Sequence, residues 1–203
     1  MLQHLRPALA CILLFTLLLG LGYPLAVTGL AQLAMPHQAD GSLLRRDGRV
    51  VGSALVGQGF TGAAYLNPRP SAAGEGYDAA SSSGSNLGPL NPELASAVAE
   101  RAASIRAYAP AAAIPADAVT ASGSGLDPHV SPEYAALQAP RIAAARAVSV
   151  AEVRRIIGAH TEQPLLGFVG QPRVNVLLTN LALDARLPVR QGRADDAGRA
   201  PQT

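Results

Sequence analysis

The sequence predicts an α+β fold: one mixed domain carried behind a single N-terminal apolar helix. Three observations lead there. The run from Ala8 to Met35 carries no charged side chain. Three helix starts follow in the second half of the chain, at Asn91-Pro92-Glu93, Ser131-Pro132-Glu133 and Ser149-Val150-Ala151-Glu152. Short β-rich runs bounded by turn residues flank those helices.

The apolar run has two readings, a membrane-spanning helix and a secretory signal. Basic groups precede it (the amino terminus, His4 and Arg6), and the first arginine after it is Arg45. That asymmetry keeps residues 1–7 in the cytoplasm and places the rest of the chain outside it. Ala8 to Leu21 has the length of a signal core, and Gly29-Leu30-Ala31 is a small-x-small triplet ahead of Gln32. Pro24 could break a helix just before that triplet. Leu9 to Leu30, however, supplies the roughly 20 residues that a span requires, with only Thr16, Tyr23 and Thr28 as polar side chains. A span would occupy residues 8–33. A cleaved signal would instead release a periplasmic binding protein or hydrolase. The residues of the run leave both open.

Composition narrows the classes. The chain has no Trp, three Phe and five Tyr, so its core must be built from Ala, Val and Leu. Small side chains bury little area each, and a partner surface would help such a fold. The sixteen basic residues are all Arg, dispersed, with a formal net charge of +2, which gives nucleic acid no basic patch to bind. Cys11, the one cysteine, lies in the apolar run and leaves the outer domain without a disulfide or thiolate site.

The elements follow in order. Asp40 to Gln58 reads as a hairpin or short meander around the Asp47-Gly48 turn. Asn67 to Pro92 is irregular, since Gly, Pro, Ser and Asn make up most of it. A helix runs from Pro92 to about Tyr108 with Leu94, Val98, Ala102 and Ile105 on one face. A second starts at Ser131-Pro132-Glu133 and runs to about Ala147, kinked at Pro140. A third, capped by Ser149 and Glu152, buries Val150, Val153, Ile156 and Ile157. Leu165 to Val169 and Arg173 to Leu178 read as strands around Gly170-Gln171-Pro172, and Asn180 to Asp184 closes a domain spanning 36–185. Residues 186–203 read as a disordered tail.

Candidate chemistry is sparse. Asp127, His129 and Ser131 imitate an acid-base-nucleophile set, but triads assemble from distant segments, and no G-x-S-x-G elbow is present. Asp127 suits a turn and Ser131 a helix cap. The histidines His4, His37, His129 and His160 stand singly, so no metal site is proposed. No phosphate-binding glycine motif occurs and there is no Lys, which excludes an ATPase or dehydrogenase by the chain's own residues. Two glycine-serine loops, Ser83 to Pro89 and Ser122 to Pro128, each deliver a proline-started helix. They serve either as plain loop-to-helix junctions or to present backbone amides to a partner or anion.

Read together, the motifs identify a resemblance. The chain is similar to the C subunit of the Kdp potassium-importing P-type ATPase of bacteria and archaea. The matching pieces are Gly22-Tyr23-Pro24, Gly57-Gln58 to Phe60, Tyr65, Arg69-Pro70-Ser71, Gly84 to Pro89 with Asn91-Pro92, Val119 to His129 with Ser131-Pro132, Gln138 to Arg141, Ala145-Arg146, Gly170 to Val176 and Asn180 to Asp184. Two departures stand out: Ala139 replaces a larger aliphatic residue, and the tail after Ala185 is longer. The resemblance implies a retained single-span anchor in the bacterial plasma (inner) membrane. It implies a non-catalytic accessory subunit, needed for assembly and activity of a high-affinity, ATP-driven potassium importer. The implied partners are a channel-like potassium-binding subunit, an ATP-hydrolysing P-type pump subunit and a small membrane subunit, with potassium handled by those partners. One role ascribed to the family is that of a catalytic chaperone raising the pump's ATP affinity, which would bring ATP to Ser122, Gly123 and Gln138. The sidedness argued above puts those residues outside, where ATP is scarce, and favours capping the potassium entrance. The position of Gln138 alone suggests a helix-surface or kink hydrogen bond near Pro140.

Overall fold

The computed structural model describes residues 2–189, in two compact units that divide between Ser53 and Ala54. The hairpin expected to open the domain at Pro36 therefore groups with the N-terminal helix.

In the first unit, Leu5–Ala34 forms one helix, α1, long and apolar enough to cross a membrane. At about 1.5 Å per residue it measures about 45 Å, against a hydrocarbon core of about 30 Å. Its leucines are exposed all round, the pattern of a helix whose surroundings are themselves apolar. The helix continues through Pro24. Thr16–Gly22, just before it, is π-helical, and the Tyr23 N–H donates to the Leu18 carbonyl. Proline lacks the amide that an α-turn needs, and the wider turn accommodates its ring. A short helix, α2 (Pro36–Ala39), leads to β1 (Leu43–Arg46) and β2 (Arg49–Ser53), paired antiparallel. Asp47 and Gly48 have φ of 51° and 77°, so the Asp-Gly signal delivers the left-handed turn that hairpins favour.

The second unit is the α+β domain. It comprises α3 (Pro92–Arg106), α4 (Ala116–Val119), β3 (His129–Val130), α5 (Pro132–Arg146), α6 (Val150–Ala159), β4 (Thr161–Glu162), β5 (Arg173–Asn175) and α7 (Val176–Arg186). The sheet is antiparallel in the order β3-β5-β4, with Val130 and Thr161 both opposite Val174. Helix α5 lies at the centre of the core. Its Ala135, Ala139, Ile142 and Ala143 are at most 2 % exposed and meet Val153, Ile156 and Ile157 of α6 and Val174 of β5. The alanine stripe lets neighbouring backbones approach closely. Asn91, Ser131 and Ser149 cap their helices as the sequence suggests, Ser149 in a full capping box with Glu152.

Two expected strands differ. Leu165 to Val169 is a tight turn closed by a single bridge between its ends, with Leu166 and Gly167 at positive φ. The strand that precedes β5 in the chain and pairs with it is Thr161–Glu162. Arg173 to Leu178 is split after Asn175, whose side chain accepts from the Leu178 amide and starts α7. That helix absorbs Asn180 to Asp184 and runs through Arg186. Leu187 then packs on the core with its carbonyl held by Arg146, so the ordered domain passes the expected boundary at 185. The rest of the expected tail, residues 190–203, lies outside the described residues.

Ala147 ends α5 in the left-handed conformation, φ 54°, where the Val148 N–H bonds back to the Ala143 carbonyl. A Cβ there costs about 1 kcal/mol. Ala147→Gly should raise the midpoint of thermal unfolding by about 2 °C. A lower midpoint would show that the position carries no such strain.

Candidate functional site

Six consecutive residues, Gly62 to Asn67, form the centre of the site. They lie outside every helix and strand, yet side chains of α5 and α7 bond their backbone residue by residue. Arg141 donates to the carbonyls of Gly62, Ala63 and Tyr65 at 3.1, 2.8 and 3.0 Å. Arg146 donates through Nε to Ala64 at 2.7 Å. The Asn180 amide accepts from the Leu66 N–H at 2.8 Å and donates to the Leu66 carbonyl at 2.9 Å. The Gln138 amide does the same for Asn67, at 2.8 and 3.0 Å. A primary amide presents the donor and acceptor of a peptide group, so these two side chains act as a substitute strand.

The surroundings fix the braces. Gln138 is fully buried and Arg146 is 2 % exposed. Arg141 donates to Gln138 Oε1 at 2.7 Å, orienting that amide. Arg146 pairs with Asp184 at 3.0 Å, and its guanidinium lies 5.0 Å from the Tyr65 ring centre. Burial lowers the Arg141 pKa, and nearby Tyr108 and Tyr134 act against that shift. Burial likewise pushes the Tyr134 hydroxyl up to about 12.

This corrects the surface or kink bond expected for Gln138 near Pro140. Helix α5 turns Gln138 inward beside Ala135, Ala139 and Ile142, while Pro140 lies on the exposed side. Sequence reasoning did not find the roles of Arg141, Arg146 and Asn180. The available signal was polar residues at helical spacing on an otherwise apolar face: Gln138, Ile142 and Arg146 are four apart.

Ser122 and Gly123 sit elsewhere in the domain. The Ser122 N–H donates to the Pro70 carbonyl at 3.4 Å, and its own carbonyl accepts from Gly125. The two glycine-serine loops close on each other. Ser82 Oγ donates to the Ser124 carbonyl at 2.9 Å, and a Cβ on Gly84 would come within 2.9 Å of the Gly123 oxygen. Only glycine permits that approach. Ser122, Gly123 and Gln138 line neither the cleft around Asp127 and His129 nor the one around Tyr77 and Tyr108.

The larger cleft, about 770 Å³, is lined by Arg69, Asp117, Asp127, His129, Ser131 and Arg173 among others. The Asp127, His129, Ser131 set does meet there, in a non-catalytic arrangement. Ser131 Oγ donates to Asp117 at 2.9 Å and accepts from the Tyr134 amide, which is the geometry of a helix cap. Asp127 accepts from the His129 backbone N–H at 2.9 Å and from Arg69 at 3.0 Å. His129 lies between Asp127 and Glu162, at 3.7 and 4.0 Å, and Glu162 pairs with Arg173 at 2.8 Å. Among the described residues no group of acids, histidines or cysteines could hold a metal ion.

Two outcomes test these roles. Asn180→Leu keeps the volume but strips the buried Leu66 amide and carbonyl of their partners, and should destabilise the domain by about 3 kcal/mol in denaturant unfolding. A loss under about 0.5 kcal/mol would contradict the brace. For Asp127, burial would raise the pKa, but the His129 hydrogen bonds and the Arg69 guanidinium outweigh it and hold the carboxyl below its ordinary value. Its folded value lies below its unfolded one. Its contribution to stability is therefore present above about pH 4 and disappears as pH falls through the folded value. Asp127→Asn should melt below the parent protein at neutral pH, with a gap that closes on acidification. A gap independent of pH would contradict the pairing.

A family model for KdpC, described as the K+-transporting ATPase c chain, matches residues 5–185. Curated relatives named potassium-transporting ATPase KdpC subunit agree. One from Beijerinckia indica is 62% identical over 193 residues, covering 94% of this chain and 98% of the relative. One from Caulobacter vibrioides is 61% identical over 196 residues, covering 96% and 100%. One from Mycobacterium tuberculosis is 56% identical over 185 residues, covering 90% and 98%. With its apolar helix, its α+β domain and these matches along nearly the whole length, the chain belongs to the KdpC family, subunits of the potassium-transporting ATPase rather than enzymes on their own.

Proposed function

We propose that this chain is a non-catalytic accessory subunit, anchored in the bacterial plasma membrane by α1 with its N-terminus cytoplasmic and its domain outside. The domain caps and stabilises the channel-like potassium-binding subunit near its potassium entrance. The ATP-hydrolysing pump subunit and a small membrane subunit complete the complex. The observation that carries this reading is the use the domain makes of Gln138. Both polar atoms of its amide are engaged, by the backbone of Asn67 and by Arg141, and the Gln138 side chain is itself fully buried. A residue held in this way supports a scaffolding role better than a nucleotide contact.

Charge is consistent with that role. Residues 54–189 carry ten acids against nine arginines, with Asp127, Glu162 and Asp184 each paired with one, so the domain adds little to long-range attraction of cations. Ser122 and Gly123 belong to a loop folded onto Ser82 and Gly84.

The test is the complete complex carrying Gln138→Ala. Capping predicts less assembled complex and an unchanged KM for ATP in what remains. The alternative, a catalytic chaperone, predicts full assembly with a raised KM. Intact mass of the membrane-bound chain supplies the second check: a polypeptide beginning at Met1 or Leu2 supports the anchor, and one beginning at Gln32 refutes it.

A further inference from the structure

The cleft around Tyr77 and Tyr108, about 480 Å³, gathers the domain's aromatic side chains. Residues 54–189 hold six of them, and four, Phe60, Tyr77, Tyr108 and Tyr134, line this one cleft beside Pro68 and Pro70. Its size falls within the range of about 300–1,000 Å³ that ligand sites occupy. Most of its polar side chains are engaged inside the domain. Tyr77 donates to the Arg69 carbonyl, Ser71 to the Gly125 carbonyl at 2.7 Å and Ser104 to the Glu100 carbonyl at 3.1 Å. Arg69 pairs with Asp127, and Arg101 donates to the Val119 carbonyl at 2.9 Å. Two phenol groups are left over. Tyr134 is 6 % exposed and packs in the core, yet its hydroxyl, like that of Tyr108, makes no hydrogen bond among the described residues. Burial raises the pKa of both hydroxyls, so both keep their protons at neutral pH and act as donors. A hydroxyl held out of water without a partner is costly, and a ligand that brings the acceptor removes that cost.

We propose that this cleft binds a proline-rich segment of a partner protein in the extended polyproline II conformation. Three features of its chemistry select that occupant. The first is the lining. Aromatic rings form the surface against which prolyl rings pack, and a polyproline II segment is ordered before it binds, so little entropy is lost. The second is the hydrogen bonding. A prolyl peptide group has a carbonyl and no N–H. It can accept from Tyr108 and Tyr134, whereas a secondary amide would carry in an N–H that must find an acceptor of its own. The third is charge. Glu75 is exposed in the lining and pairs with no base among the described residues, which suits an arginine or lysine beside the prolines. The site lies within the domain and does not depend on the capping role or on the anchor.

The probe is a fluorescein-labelled polyproline peptide ending in arginine, titrated with the full chain in detergent and followed by fluorescence anisotropy. The control peptide keeps the arginine and replaces the prolines with glycine and serine. The expected result is a saturable rise with the proline peptide and none with the control. Tyr134→Phe keeps the ring and removes a hydroxyl that bonds nothing in the domain. Its thermal midpoint should therefore equal or exceed that of the parent chain, while its affinity for the proline peptide falls about fivefold. Tyr108→Phe, at a half-buried position, repeats the measurement if Tyr134→Phe lowers the midpoint. No saturable rise, an equal rise with both peptides, or an affinity unchanged by loss of the hydroxyl overturns the proposal.

Discussion

The domain depends on one constraint: a short segment with no strand partner, Gly62 to Asn67, must bury its backbone. Leu66 is fully buried, and a peptide group in that setting needs both of its hydrogen bonds. Two helices meet the need with side chains. Asn180 and Gln138 supply paired donors and acceptors, and Arg141 and Arg146 collect the carbonyls upstream. Because α5 and α7 bond the same segment, the braces tie together elements far apart in the chain. Burying Arg146 and half-burying Arg141 is costly in itself. Here each guanidinium meets several carbonyls or a carboxylate, and leaving either one unpartnered would cost more than the pair contributes.

A fold held in this way has little need for a large core. The alanine stripe of α5 brings neighbouring elements close but buries little area per residue. Stability then rests on buried polar networks, which tolerate substitution poorly because an unpaired member costs more than a lost contact. The same economy explains the quiet chemistry of the larger cleft. Asp127 and Ser131 look reactive in sequence, yet one holds a backbone amide and the other a helix start. A subunit of a potassium-transporting ATPase that leaves chemistry to its partners needs a surface that keeps its shape, and these networks provide one.

Much of the fold was legible from local rules. The caps at Asn91, Ser131 and Ser149 and the Asp47-Gly48 turn depend on neighbours only a few positions away, and each appears as the sequence indicates. Of the strands in the β3-β5-β4 sheet only β5 was legible, as the start of the Arg173 to Leu178 run; β3 and β4 were not. Val130, Thr161 and Val174 pair across long separations in segments of two or three residues, too short for alternation to register. Leu165 to Val169 read as a strand because it is apolar, while its exposed turn conformation depends on Leu166 and Gly167 at positive φ. The split at Asn175 turned on a cap inside an apolar run. For the site, Gln138 could be singled out, but not its partner: nothing local in the sequence connects it to Asn67, far upstream in the chain.

Hydrogen exchange at the Leu66 and Asn67 amides tests the central claim most directly. Both lie in an irregular segment and bond only to side chains, so a loop without braces would exchange them quickly. If Asn180 and Gln138 replace a strand, both amides should be as protected as those of Ile142 and Ala143 in the core of α5. Exchange as fast as in the 82–90 loop would contradict the account.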